Sequence, residues 1–388
     1  MIVHLFNTTI VSGPERLVLP ALADDRERFM ILNLLERRVQ RLRETDPLEN
    51  LSRSLGLRYA AVPVDGRWDG NAIRRLRGLL EAGKPELVHA HSGKASIYLG
   101  QSRRGMRAAP PIVSTHHGVR GMPDLKTRLY EILYRRLFLR TFDRVLCVST
   151  EDYETVLGSG IRADRLRVHL NGVDGHLIDP GRRPEARGRF RASWLPQEPA
   201  REGLFLFGAV GRLSAEKDHD RLLRVLAHVE KGPAPRDWRC LLFGLGEREQ
   251  ALRETARRLG LERRIVWMGY RDDVGRELAG LDLLLSFSKA EGLPINLIEA
   301  GWAGTPVMST LVGGVKDLIP DGSYGTGVPP DETVEETARR IVALLAESGR
   351  AALDAQGRRL QERVSAEFSR ARWTARLREI YAELGVAL

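Results

Sequence analysis

The stretch SKAEGLPINLIEAGWAGTPVMSTLVGG, residues 288–314, directly follows the apolar run LDLLLSF and decides the fold of the chain. The apolar run reads as a buried strand. EGLPINLIEAGW reads as a loop running into a helix, and PVMST as a second short strand. Strand, loop, helix and strand in that order form the unit that binds phosphorylated ligands at the carboxyl edge of a parallel sheet, because the first amides of the helix point at the anion. Two carboxylates lie inside this unit, Glu291 in the Gly/Pro-containing loop and Glu299 on the helix. Both are placed to accept hydrogen bonds from hydroxyls, one set on a sugar and one on a ribose.

Working outward, the alternation of strand and helix continues in both directions. MIVHLF, LRYAAVPV, LVHAH, PIVSTHH and RVLCVS read as buried strands of the first half, with helical spacing over 71–82 and 124–140. In the second half GLFLFGAVGRL, RCLLFG, RIVWMG, LDLLLSF and PVMST alternate with helical segments in the same way. Between the halves, 179–202 is polar and rich in Pro, Gly and Arg, the composition of a linker. The expected fold class is α/β, with two Rossmann-like domains facing across a cleft. The expected divisions are a domain over 1–175, a linker over 176–202, a second domain over 203–366, and a C-terminal amphipathic helix over 367–388 that packs back on the first domain.

Bulk properties narrow the class. A chain of 388 residues, 43% hydrophobic and 29% charged, is a globular protein too long for one ordinary core. It has no apolar run near the roughly 18 residues of a membrane span, and its N-terminus lacks a signal-peptide pattern. Cys147 and Cys240 each sit in an apolar strand-like run, so the expectation is buried free thiols in a reducing cytosol. The net charge of +10, carried mostly by arginine, suits phosphate groups, acidic lipid or nucleic acid. No helix-turn-helix, zinc or RNA-binding signature accompanies it, which excludes nucleic acid as the expected partner.

GAVGRLSAEKD (208–218) closes the first strand of the second half in a Gly-containing turn, with Gly211, Arg212 and Lys217 beside it. A backbone turn and two cations can hold a diphosphate, Arg212 as a planar fork and Lys217 as a mobile point charge. Together with EGLPINLIEAGWAGTPV, this segment resembles the retaining glycosyltransferases of family 4, which have the GT-B fold. LVHAHSGKA (87–95), VSTHHG (113–118), LNGVD (170–174), VWMGYRDDV (266–274) and GGVKDLIPDG (313–322) extend the resemblance from about residue 87 to 330. It implies an enzyme that moves a sugar from a nucleoside-diphosphate-sugar to an acceptor hydroxyl, in glycan, lipid-linked glycan or polysaccharide synthesis. The first domain would be the acceptor side and the second the donor side.

Carried onto these positions, the resemblance implies that Arg212 and Lys217 hold the donor diphosphate. Glu291 would touch the hydroxyls of the transferred sugar and Glu299 the ribose. Backbone amides over Gly292, Leu293, Pro294 and Ile295 would cap the phosphates. His116 matches the histidine that faces the donor sugar, with His117 an adjacent candidate because one step along a strand end reverses the side-chain direction. No protein nucleophile is assigned. The first-domain loop departs from the family's double glycine: here it is Ser12-Gly13-Pro14-Glu15, in which Gly13 still permits close backbone approach to a donor, and Pro20 is expected to kink the following helix.

Other signals have simpler readings. His89 and His91 share one strand face, a metal-ligand spacing, but with no third ligand near them in sequence the expectation is a structural or cleft-lining role. Asp218 and Asp220 form a D-x-D that opens a helix, which reads as capping. The site is therefore expected to need no metal and no cofactor beyond the donor substrate. The basic amphipathic segment 124–140, with Arg103, Arg104 and Arg107, offers a surface for anionic lipid, so the expected location is the cytoplasm with peripheral contact at the inner membrane face. Competing readings are a sugar-nucleotide epimerase of the same fold and a non-catalytic nucleotide-sugar-binding relative.

Overall fold

The computed structural model describes residues 1–37, 46–66, 68–117, 132, 134–175, 185, 188–190, 203–232, 234, 236–271 and 274–388. They form two compact units, Met1–Gly172 together with Arg370–Leu388, and Val173–Ser369. Each unit is built on one parallel sheet.

In the first unit the strands are β1 (Ile2–Phe6), β2 (Phe29–Glu36), β3 (Arg58–Val64), β4 (Leu87–Ala90), β5 (Ile112–His116), β6 (Arg144–Cys147) and β7 (Leu166–Val168). They lie in the order β3-β2-β1-β4-β5-β6-β7. β1 is therefore the switch strand, paired with β2 on one side and β4 on the other. β1, β4 and β5 are buried at every position, as central strands covered on both faces must be. The segment FMILNLLE of β2 was not expected as a strand, because a continuous apolar run has no period that separates strand from buried helix.

The connecting helices follow local rules. The helix Gly70–Gly83 begins at Asp69, whose side chain accepts from the amides of Asn71 and Ala72, and it buries Ala72, Ile73, Leu76 and Leu80 along one face. The helix Gly13–Leu22 runs through Pro20 in its last turns and passes directly into the 3-10 segment Ala23–Arg28. The C-terminal helix Arg370–Ala382 belongs to this first unit. It buries Trp373, Leu377, Ile380 and Tyr381, and His169 Nε2 bonds the Trp373 carbonyl at 3.0 Å. Glu383 then closes the contact by pairing with both Arg144 (3.0 Å) and Arg167 (2.7 Å).

The second unit holds β8 (Phe205–Val210), β9 (Trp238–Phe243), β10 (Ile265–Gly269), β11 (Leu283–Ser286), β12 (Val307–Thr310) and β13 (Thr326–Val328), in the order β10-β9-β8-β11-β12-β13. The switch point falls between β8 and β11. Phe205, Phe207, Trp238, Leu222 and Leu226 are central to its core. β13 and β7, at three residues each, are too short to carry a readable pattern.

Most of 176–202, residues 118–123, and residues 124–131 and 133 of the basic segment lie outside the described residues. Of that segment Tyr134–Phe138 forms a π-helical turn, with Tyr134 buried and Leu137 exposed. No described helix is long and apolar enough to cross a membrane. Both cysteines are buried and free, and burial pushes the Cys240 thiol up to about 12.

Candidate functional site

Three loops of the second unit converge at the carboxyl ends of β8, β11 and β12, beside the switch point. The loop after β8 carries Gly211, Arg212 and Lys217. Gly211 N–H still bonds the Phe243 carbonyl (3.0 Å) and Leu213 N–H the Leu245 carbonyl (3.0 Å), so the loop remains tied to the chain leaving β9. A Cβ on Gly244, whose φ is +139°, would stand 1.9 Å from the Gly211 oxygen, so a side chain there would break this contact. The stem of Lys217 lies against Gly211, and its ammonium reaches Glu291 Oε1 at 2.6 Å. Arg212 is exposed, and its backbone is held by the ring of His219, whose pKa burial lowers to about 4.

The loop after β11 delivers Glu291, only 9% exposed at its side chain. Ser288 Oγ also donates to Oε1 (2.6 Å), while Thr310 on β12 donates to the Ser288 carbonyl (2.6 Å). Both donors fall on Oε1, and among the described residues no hydrogen bond is made to Oε2. The third loop closes over the turn: Gly314 N–H donates to the Gly292 carbonyl at 2.5 Å, and a Cβ on Gly313, at φ +54°, would meet the Glu291 oxygen at 1.9 Å. The helix Ile295–Trp302 starts here without a side-chain cap, and Asn296 pins it to the end of β8 through the Val210 carbonyl (2.7 Å). Glu299 is half-buried on that helix.

Lys217, Glu291 and the helix start at Ile295 are thus brought together. Of the amides expected from 292 to 295, Pro294 has no N–H to give, which leaves Gly292, Leu293 and Ile295 as the donors of that turn. Ser288, Asn296, Gly244 and Gly313 carry the geometry and were not singled out from sequence. The Gly313-Gly314 pair was the one visible signal, since adjacent glycines mark a close backbone approach. The D-x-D is a cap: Asp218 accepts from Arg221 N–H (3.3 Å), and Asp220 pairs with Arg248 (2.9 Å). Lys289 lies 3.5 Å from Asp218.

In the first unit, Gly13 opens the helix after β1, and the Glu15 carboxylate accepts from both Ser12 N–H (2.9 Å) and Ser12 Oγ (2.7 Å). The two adjacent histidines diverge. His116, the last residue of β5, is buried with its ring 6.2 Å from Tyr134, and burial lowers its pKa to about 4. His117 is half-buried, and its ring stands 6.2 Å from His91 at the end of β4, beside the switch strand.

The expectation that no third ligand lies near His89 and His91 is corrected. His4 on β1 pairs in register with His89, so parallel pairing puts it on the same face. The three histidines have potential ligand atoms within 4.8 Å of one another. Most of their nitrogens are turned to other uses, His91 Nδ1 alone having no hydrogen-bond partner among the described residues. His4 Nδ1 and His91 Nε2 share a hydrogen bond of 2.8 Å, and His89 bonds Tyr381 OH (2.6 Å) and Thr115 Oγ1 (2.7 Å). The His89 and His91 rings stack at 4.2 Å, whereas a metal needs lone pairs converging on one point. Burial holds the His4 pKa at about 3 and those of His89 and His91 well below the usual value, so the cluster is a neutral hydrogen-bonded network.

The chain is similar to known glycosyltransferases. Residues 36–176 match the family model described as Glycosyltransferase Family 4, and residues 205–347 the model described as Glycosyl transferases group 1. An Escherichia coli UDP-Gal:alpha-D-GlcNAc-diphosphoundecaprenol alpha-1,3-galactosyltransferase is 24% identical over 65% of this chain. The match spans 64% of that enzyme, just under two thirds of its length. The D-inositol 3-phosphate glycosyltransferase of Kribbella flavida is 27% identical, covering 76% of this chain and 71% of its own. Among solved structures, HepE of Anabaena in complex with UDP-glucose superposes with a TM-score of 0.79 at 20% identity, covering 98% of this chain and 99% of HepE.

Proposed function

Because the chain belongs to glycosyltransferase family 4 and has the GT-B fold, we propose that it transfers a sugar from a nucleoside-diphosphate-sugar, with retention, to a hydroxyl of a glycan or lipid-linked glycan. The observation that carries this reading is the Lys217–Glu291 pair, which joins the loops after β8 and β11 at a switch point beside an uncapped helix start.

Lys217 keeps two of its three N–H groups for the diphosphate while Glu291 holds the third. Arg212, exposed beside it, adds a planar fork for phosphate oxygens. Glu291 Oε2 accepts from a hydroxyl of the donor sugar, and Glu299 from the ribose. Leu245 and Tyr270, 54% and 49% exposed after β9 and β10, supply apolar surface for the base. During transfer the bond from the anomeric carbon to the diphosphate oxygen breaks, and its electron pair goes to the phosphate. The acceptor oxygen bonds to that carbon on the same face, and its proton passes to the departing phosphate oxygen. Lys217, Arg212 and the helix amides stabilise the negative charge that develops.

Of the adjacent histidines, we assign the sugar-facing role to His117, since His116 packs its ring toward Tyr134. His117→Ala should lower kcat roughly 100-fold, in the range of a lost polar partner in the transition state. His116→Ala should act mainly on stability. Equal kcat losses in the two variants would remove this assignment. The E. coli relative's name includes a diphosphoundecaprenol carrier, which supports a lipid-linked acceptor here and contact with the inner membrane face. Activity is expected to persist in EDTA.

The reading is tested by incubating the full chain with UDP-glucose and a panel of glycan and lipid-linked glycan acceptors, with and without EDTA, and following UDP release and the anomeric configuration of the glycoside formed by NMR. Release of UDP with an α-configured product, insensitive to EDTA, is the expected result. A β product would overturn retention, and dependence on a divalent ion would overturn the metal-free chemistry. Formation of an epimerised free sugar would favour the epimerase reading.

A further inference from the structure

The carboxyl edge of the first unit's sheet carries a feature that donor chemistry does not use. Trp68, in the turn joining β3 to the helix Gly70–Gly83, is 59% exposed, the highest value among the described large hydrophobic side chains that face solvent. Its ring stands 6.4 Å from that of Tyr98, tilted by 56°. Hydrogen bonds tie the described residues on either side of Trp68. Asp65 N–H donates to Asp69 Oδ2 (3.0 Å), and Lys94 donates to the Gly66 carbonyl (2.8 Å). Lys94 also pairs with Glu36 (2.9 Å) and lies 5.9 Å from the Tyr98 ring, and Arg37 pairs with Asp65 at 3.3 Å. A solvent-facing indole thus stands next to a segment tied down by charged groups of both signs.

We propose that Trp68 is a platform on which a sugar of the acceptor glycan stacks, a specificity-determining contact that rests on the glycosyl-transfer reading. A sugar ring matches both parts of this surface. Its C–H face covers the indole, and its hydroxyls, donor and acceptor at once, meet Lys94, Glu36, Arg37 and Asp65. A wholly apolar partner would bury the ion pairs Lys94–Glu36 and Arg37–Asp65 and offer them no hydrogen bond in place of water. A phosphate would find no net positive charge, since Glu36 and Asp65 offset Lys94 and Arg37. Position adds a length requirement. β3 lies two strand spacings, about 10 Å, from β1, and the reacting ligand of such a sheet sits at the switch point. The sugar on Trp68 is therefore not the one that reacts, and the acceptor carries at least two sugar units.

The test applies the full chain to an array of defined mono-, di- and trisaccharides, comparing wild type with Trp68→Ala and Trp68→Phe. The wild type should retain a subset of the di- and trisaccharides and none of the monosaccharides. Trp68→Ala should lose that signal by at least roughly tenfold, the size expected for one aromatic anchor, and Trp68→Phe should keep part of it. All three should share one melting temperature and one shift with UDP. Equal retention by wild type and Trp68→Ala, or no retention by the wild type, would overturn the proposal. So would a melting temperature several degrees lower in Trp68→Ala, which would mark a packing role. Absence of a UDP shift in the wild type alongside glycan binding would count against the donor site alone, so the two failures can be told apart.

Discussion

Replacing Lys217 with alanine is expected to weaken UDP binding by roughly 10- to 100-fold, as the loss of a charge-assisted hydrogen bond to phosphate implies. The same change strands Glu291, which is 9% exposed and receives two donors on one oxygen, Lys217 and Ser288. Without the lysine, a nearly buried carboxylate faces an arriving diphosphate with only Ser288 beside it, and the two repel. Glu291→Gln separates the two contributions. It removes the negative charge while keeping an oxygen and adding donors, so UDP affinity should hold or rise while kcat with the intact donor falls. Calorimetric titration of UDP into the wild type, both single variants and the double variant measures the coupling. Additive changes would mean that the pair does not act as one unit at the phosphate. Unchanged UDP affinity in Lys217→Ala would remove lysine from the donor site.

Acid is expected to unfold the protein over a narrow range below pH 6.5. Six histidines are buried and held below their ordinary pKa by burial: His4 to about 3, His116, His169 and His219 to about 4, and His89 and His91 also well down. In the unfolded chain each takes up a proton near pH 6.5, while in the folded chain it stays neutral until far lower. The unfolded state therefore binds more protons between those limits. Stability is complete above about pH 6.5 and falls as pH drops toward the folded values. Each histidine adds a slope approaching ~1.4 kcal/mol per pH unit, so four acting together approach on the order of 5 kcal/mol per unit. That is comparable with a whole domain's stability. Melting temperature measured from pH 8 to pH 4.5 should be flat at first and then collapse between about pH 6 and 5. Substituting His169 with glutamine, whose amide can replace the bond to the Trp373 carbonyl, should soften the slope. A melting temperature constant to pH 4.5 would contradict the neutral buried network.

Much of the layout of the proposed donor site was legible because its residues are local in sequence. Lys217 ends a Gly-containing turn, and Glu291 and Glu299 share one loop and helix, so strand, turn and helix signals placed them within one sheet edge. What fixes Glu291 was not legible. Ser288, Thr310, Gly313 and Gly244 act across strands whose order, β9-β8-β11-β12, no single stretch encodes. The histidine network failed for the same reason. His89 and His91 are visible as a strand pair, but His4 joins them only when β1 and β4 are known to be neighbours. The return of the last helix to the first domain was expected, but not that it sets Tyr381 OH against His89. β2 was missed because a run buried on both faces has no period to read. The end of β5 at His116 was legible, but which of His116 and His117 would face a donor sugar depends on side-chain direction there, which pattern does not resolve.

The account stands or falls on a nucleoside-diphosphate-sugar site in the second unit. Its most direct test is a thermal-shift panel of UDP, GDP, ADP and their sugars on the full chain, with and without EDTA. A ligand that binds only the folded state raises the melting temperature according to its affinity. The predicted result is a rise with one nucleotide and its sugar, unchanged by EDTA and lost in Lys217→Ala. No rise with any member, or a rise that survives Lys217→Ala in full, would contradict the site described here.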